Sequence, residues 1–199
     1  LTPRREEISA ERIFAEVVSG WSKFSTSAQP DLIEAFFGFF QQRIAVYSET
    51  VSVLDELRSR KIPVGLLTDT PYGMPRSFVQ RDLDTAGIGP FFDAWLTSVD
   101  VGWRKPEPAG FLALARALNV APHQLCFVGN EEKDVLGAQA GSFTIVVDRE
   151  GQEPTWGQDH TIRDLRELCS RVLPRVNASS SGLTTNRLPI RPTSSARPS

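Results

Sequence analysis

The stretch "VGNEEKD", Val128 to Asp134, ends an apolar run at a glycine and then crowds Asn130, Glu131, Glu132 and Asp134 together. Like charges this close repel unless a cation or water lies among them. Oxygen donors gathered at one point suit a hard divalent ion. An acidic first helical turn, favoured by the helix dipole alone, is the alternative reading. Two other stretches offer the complementary chemistry. In "LLTDTP", Thr68, Asp69 and Thr70 follow directly on an apolar run, and a hydroxyl with free backbone amides there can hold an anion's oxygens. In "GWRKPEP", Lys105 precedes Pro106, which keeps it out of helical backbone and fixes an ammonium on an extended stretch. An everyday helix cap and a solvated lysine are the plainer alternatives for these two.

The elements that must position these residues follow from periodicity. Ile13, Phe14, Val17, Val18 and Trp21, then Ile33, Phe36, Phe37, Phe40 and Ile44, recur at helical spacing on either side of Gln29-Pro30-Asp31, which predicts two amphipathic helices. The stripe Phe36, Phe37, Phe39, Phe40 reads as core packing before it reads as a substrate pocket. Ser48 is placed to cap a helix through Val51, Leu54 and Leu57. Strands and helices then alternate: "IPVGLLT", a helix over Arg76 to Ala86, "DAWLTSV", a helix in "PAGFLALARAL", "QLCFV", a helix in "EKDVLGAQA", "FTIVV" and a last helix in "TIRDLRELCSRVL". This order predicts an α/β fold, a Rossmann-like parallel sheet with flanking helices. Chemistry in such sheets gathers at the carboxyl ends of strands. All three polar stretches sit at such ends.

Bulk properties set limits. The 199 residues carry a net charge of −2, which argues against a general nucleic-acid binder. Two cysteines form no disulfide framework and point to a reducing cytoplasm. No apolar stretch approaches the roughly 20 residues of a membrane span. From Arg175 onward the chain has four arginines, no acid and many Ser, Thr and Pro, the composition of a disordered tail. The expected organisation is a helical lobe at 1–46, an α/β core at 47–174 and a tail at 175–199.

Taken together, the three strand-end stretches resemble the haloacid dehalogenase superfamily of hydrolases, most of them magnesium-dependent phosphatases, from about Tyr47 to Val147. Thr68 falls at that family's second-motif hydroxyl, Lys105 at its third-motif lysine, and Asn130 and Asp134 at its fourth-motif acid pair. The resemblance implies a Rossmann-like core under an α-helical cap lobe, and hydrolysis of a small phosphorylated metabolite through an aspartyl-phosphate. It implies catalytic roles for Lys105 and Thr68, substrate binding by Thr68, Asp69, Thr70 and Lys105, and Mg2+ held by Asn130, Asp134 and Glu131. Asp134 would be the stronger ligand, because Asn130 lacks a charge. No nucleic acid or membrane partner is implied, and the oligomeric state stays open.

One part of the pattern is missing. The family's nucleophile lies in Asp-x-Asp at the end of a first strand. Asp82-Leu83-Asp84-Thr85 has the letters, but Phe78, Val79, Leu83 and Ala86 around it follow helix spacing. The expectation is therefore that the sequence starts after that strand. That would leave a gap between the strands ending at Thr68 and Gly129, and a chain inactive as it stands. A non-catalytic relative that binds a ligand or partner is the second reading. A metal-free dehalogenase ranks third, because "NEEKD" is too acidic for a site holding a carboxylate substrate.

Overall fold

The computed structural model describes residues 4–21, 26–41, 44–139 and 141–172. The tail expected from Arg175 lies outside them. Helix α1 (Ala10–Val18) starts at Ser9, whose hydroxyl accepts from Arg12 N. Helix α2 (Gln29–Phe40) opens with a proline in its first turn, where the missing N–H goes unneeded. The two helices close onto α4 (Arg76–Thr85). Ala10 and Phe37 are fully buried there, clustered with Ile33, Met74, Phe78, Val79 and Leu83. Polar contacts reinforce the seam: Arg81 makes two hydrogen bonds to Glu34, and Gln41 donates to Phe78 O and Asp82. The aromatic stripe thus divides. Phe37 is core, Phe36 packs edge-on against Phe14 and Tyr72, and Phe39 and Phe40 are exposed.

Helix α3 (Thr50–Ser59) is preceded by Glu49 at its cap position, not by the expected Ser48. Strand β1 (Gly65–Thr68) pairs in parallel with β2 (Ala94–Thr97), from Gly65 opposite Ala94 to Thr68 opposite Thr97. A short turn of helix, α5 (Ser98–Val101), and then α6 (Ala109–Ala117) follow. A second parallel sheet has the order β3 (Cys126–Gly129), β4 (Phe143–Val147), β5 (His160–Ile162), with α7 (Glu132–Ala138) between its first two strands. The expected final helix is corrected here. His160–Ile162 is a strand, and only Leu168–Val172 coils, as a π-helical turn. Ile162 is buried against β4, and its carbonyl accepts from Asp148 N, so pairing overrides the helical spacing.

Two helical layers hold the sheets side by side. On one face Phe111 and Leu114 of α6 and Ala138 of α7 meet Leu67, Leu96 and Phe127, drawn from both sheets. A Cβ on Gly137 would enter the Phe111 ring, so glycine is what lets α7 lie this close to α6. On the other face Val53 and Leu57 of α3 cover Ile145 and Ile162, with Val64 and Val128 alongside. Among the described residues β1 and β3 share no backbone pairing. Their residues are mostly half-buried, whereas Thr144, Ile145 and Val146 of β4 are almost fully enclosed.

Because Phe37 joins the helical hairpin to α4, Phe37→Ala should lower unfolding free energy by about 3–5 kcal/mol, measured by denaturant titration. An independent lobe would instead melt alone and leave the main transition where it was.

Candidate active site

The carboxyl ends of β1, β2 and β3 bring the expected residues together through hydrogen bonds that cross from one sheet to the other. Asp69, just past β1, accepts the backbone N–H of Lys105 at Oδ1 (3.0 Å) and faces the Lys133 ammonium at Oδ2 (3.4 Å). The Lys105 ammonium donates to Asp134 Oδ1 at 2.6 Å, and the two side chains are 11% and 4% exposed. Asp134 Oδ2 accepts the amides of Asn130 (3.0 Å) and Glu131 (3.1 Å). This carboxylate therefore closes the first turn of α7 and neutralises the lysine at once. A Cβ on Gly129 would overlap it, which explains the glycine at the strand's last position.

Lys133 was not anticipated, although it lies inside "NEEKD". Its ammonium bridges Glu131 (3.0 Å) and Asp69, so it too spans the two sheets. Partial burial works against its charge, but the hydrogen bonds and charges of Glu131 and Asp69 outweigh this and raise its pKa. A raised lysine pKa stabilises the fold below its unfolded value. That contribution is present at neutral pH and is lost only as alkaline solution passes the folded value.

Other expected residues sit differently. Thr68 is half-buried, and its hydroxyl donates to the Asp69 carbonyl at 3.2 Å. Thr70, expected to bind substrate, is 1% exposed, and its amide and hydroxyl both meet Ser98 Oγ. It belongs to the scaffold beneath the site. Asp69 likewise works as a clamp on Lys105, with both oxygens engaged. Asp82 and Asp84 lie on α4, bonded to Gln41 and Gln80, and not at a strand tip.

The set expected for Mg2+ is tested by its donors. Asp134 already accepts from a lysine and two amides, Glu131 pairs with Lys133, and Asn130 is exposed. A Mg2+ ion demands a near-octahedral shell of oxygens. Among the described residues no group of three or more His, Cys, Asp or Glu is arranged to hold a metal. As arranged, Asn130, Asp134 and Glu131 do not fit the ion by themselves. Thiol chemistry is no substitute: burial, with Asp159 adding to it, pushes Cys126 up to about 11.

Comparison with known proteins places these motifs in context. A family model described as haloacid dehalogenase-like hydrolase matches residues 8–141. The chain is similar to the phosphoserine phosphatase of Thermus thermophilus, at 35% identity over 178 residues, covering 84% of this chain and 69% of that one. It is 27% identical over 110 residues to the phosphoglycolate phosphatase of Escherichia coli, covering 55% of this chain and 42% of the relative. The crystal structure of a HAD phosphatase from Thermococcus onnurineus superposes with a TM-score of 0.61 at 26% identity, over 80% of this chain and 77% of that one.

Replacing Asp134 by Ala leaves a buried ammonium and two amides without their acceptor, and should cost about 3–5 kcal/mol of stability. The loss should be the same with Mg2+ or with chelator present, as thermal melts under both conditions would show. For Cys126, alkylation by iodoacetamide at pH 8 should run about 100-fold slower than for a free thiol, because the thiolate fraction falls with the raised pKa.

Proposed function

The chain belongs to the haloacid dehalogenase-like hydrolases, and from that premise we propose that it serves a phosphohydrolase acting on a small phosphorylated metabolite. The observation that carries this reading is Lys105. Its backbone is tied to Asp69 and its ammonium to Asp134, at the point where three strand ends converge. A preorganised cation there can offset charge on a phosphoryl group as it transfers. The half-buried Thr68 hydroxyl, directed only at a neighbouring carbonyl, is free to turn to a phosphate oxygen. The phosphatase names of the relatives support the same class of substrate.

The nucleophile of this reading is an aspartate on a parallel strand between β1 and β3. It would attack phosphorus, expel the alcohol and form an aspartyl-phosphate that water then hydrolyses. A second carboxylic acid two residues on would protonate the leaving group. Three features favour that placement: among the described residues the two sheets do not pair with each other, β1 and β3 are mostly half-buried, and residues 4–8 lie beside the loops that leave β1 and β2. A strand running parallel to β1 delivers the chain at that end. Residues 1–46 would then form the cap lobe and 47–174 the core. The Mg2+ dependence that goes with this reading needs oxygen donors beyond Asn130, Asp134 and Glu131.

No helix among the described residues is long and apolar enough to cross a membrane. The free Cys126 and Cys169 suit a reducing compartment, and we assign the activity to the cytoplasm. A non-catalytic scaffold is the second reading. It is favoured by one observation, that among the described residues no strand ends in Asp-x-Asp.

Steady-state hydrolysis of p-nitrophenyl phosphate separates the two. The chain alone should show no turnover, and fusing an apolar strand ending in Asp-x-Asp ahead of residue 1 should create it. In that fusion Lys105→Ala should lose about 10²–10³ in kcat, and Thr68→Ala about tenfold, the worth of one hydrogen bond. A folded fusion without turnover favours the scaffold. Activity indifferent to Lys105 removes the assignment, and activity of the unfused chain that Asp82→Asn abolishes makes α4 the source of the nucleophile.

A further inference from the structure

The most heavily bonded carboxylate near the site belongs to a residue that neither the motifs nor the proposed chemistry uses. The Glu7 side chain is 1% exposed. Its Oε1 accepts from Arg4 (2.6 Å) and from the amide of Ile8 (3.0 Å), and its Oε2 accepts from Ser98 Oγ (2.6 Å) and from Arg104. The backbone around it is held as firmly: Glu7 N donates to Gly102 O, and Arg104 N to Arg5 O. A Cβ on Gly73 would collide with the Ile8 carbonyl, so the loop leaving β1 presses on the same segment. Glu7 thus touches Ser98 at the start of α5 and Arg104, the residue directly before Lys105.

Arg104 has a choice of anions. Its guanidinium meets Glu7 and donates to Thr70 O (2.9 Å), while its other terminal nitrogen stands 4.0 Å from Asp69 Oδ2. Asp69 is the carboxylate that accepts the Lys105 amide. A guanidinium with planar donors forms its strongest contacts with carboxylates. If the charge on Glu7 is removed, Asp69 is the next carboxylate within reach. Drawing Asp69 Oδ2 in to Arg104 shifts the whole carboxylate, and pulls Oδ1 away from the Lys105 amide.

We infer that Glu7 is a positioning residue for Lys105: by engaging Arg104 it holds the guanidinium 4.0 Å from Asp69, short of hydrogen-bond contact, and so leaves Asp69 to fix the lysine. The inference deepens the phosphohydrolase reading and rests on it for the role of Lys105, but the geometry it predicts can be measured without catalysis.

The test uses Glu7→Gln, which keeps the size and an acceptor oxygen, together with Arg104→Met and the double variant in the unfused chain. Hydrogen exchange of the Lys105 amide by NMR reads the position, and calorimetry with inorganic phosphate reads the site. Glu7→Gln should speed Lys105 exchange about tenfold and weaken phosphate binding about tenfold, the effect of one hydrogen bond to a charged group. Arg104→Met alone should leave both within about twofold, and Glu7→Gln added to it should then be silent; this scale follows from deleting the competing group. A Glu7→Gln variant with unchanged Lys105 exchange, or one equally harmful in the Arg104→Met background, overturns the inference. If Glu7→Gln does not fold while the double variant does, loss of the charge acts through Arg104 as proposed; if neither folds, Glu7 acts through other partners and the inference fails. Wild-type chain that binds no phosphate, or binds it as well after Lys105→Ala, removes the phosphohydrolase reading, while the exchange data still decide how Glu7 acts.

Discussion

A lysine ammonium and a buried carboxylate 2.6 Å apart join two sheets that share no backbone hydrogen bond among the described residues. Lys105 comes from the loop after β2 and Asp134 from the helix after β3, so the pair reaches across the seam between β1 and β3. An ion pair this enclosed repays its desolvation only when its remaining donors and acceptors are also met. Here they are, because the second oxygen of Asp134 takes the amides that open α7. The Lys133 bridge to Asp69 is a second strut over the same seam. Around these two contacts the helices supply apolar cover, α6 and α7 on one face and α3 on the other.

The charges at this end form a row: Arg4, Glu7, Arg104, Asp69, Lys133, Glu131, alternating in sign from the N-terminal segment to the start of α7. Each acid has a cation on either side except the last, which is the exposed one. The acids of "NEEKD" do not face one another. Asp134 faces Lys105 and Glu131 faces Lys133, so lysines relieve part of the repulsion suggested by their crowding.

Much of the fold was legible because local pattern and tertiary packing agree. "FTIVV" is β4 residue for residue, and α4 and α6 lie within a residue or two of their periodic stretches. The failure at β5 has a clear origin. Ile162, Leu165, Leu168 and Cys169 keep helical spacing, and all four pack into one cluster, so the pattern reports burial correctly but not backbone form. What makes Ile162 extended is β4 beside it, which no local window contains. The site was legible in the same measure. Lys105 and Asp134 are both picked out by the sequence, and the spacing of Asn130 and Asp134, with Glu131 between them, resembles the family's Mg2+ set. The same spacing at a helix start lets the second residue's carboxylate accept the first one's amide. Lys133 and Glu7 carry no spacing signal for their contacts across the fold, because Asp69 on one side and Ser98 and Arg104 on the other lie far away in the chain.

The division of the strands into two sets also bears on how the molecule assembles and opens. Closing β3 onto β4 spans 143 − 129 = 14 positions, and closing β1 onto β2 spans 94 − 68 = 26. The entropy of loop closure therefore favours the former by roughly 0.5 kcal/mol. The set containing β4 also gains a third strand, whereas two strands alone are marginal in water. Residues 126–162 thus make the better nucleus, and the β1–β2 unit docks onto it through α6. Amide protection should follow the same hierarchy, deepest in Ile145 and Val146 and shallowest along the seam where the proposed site lies.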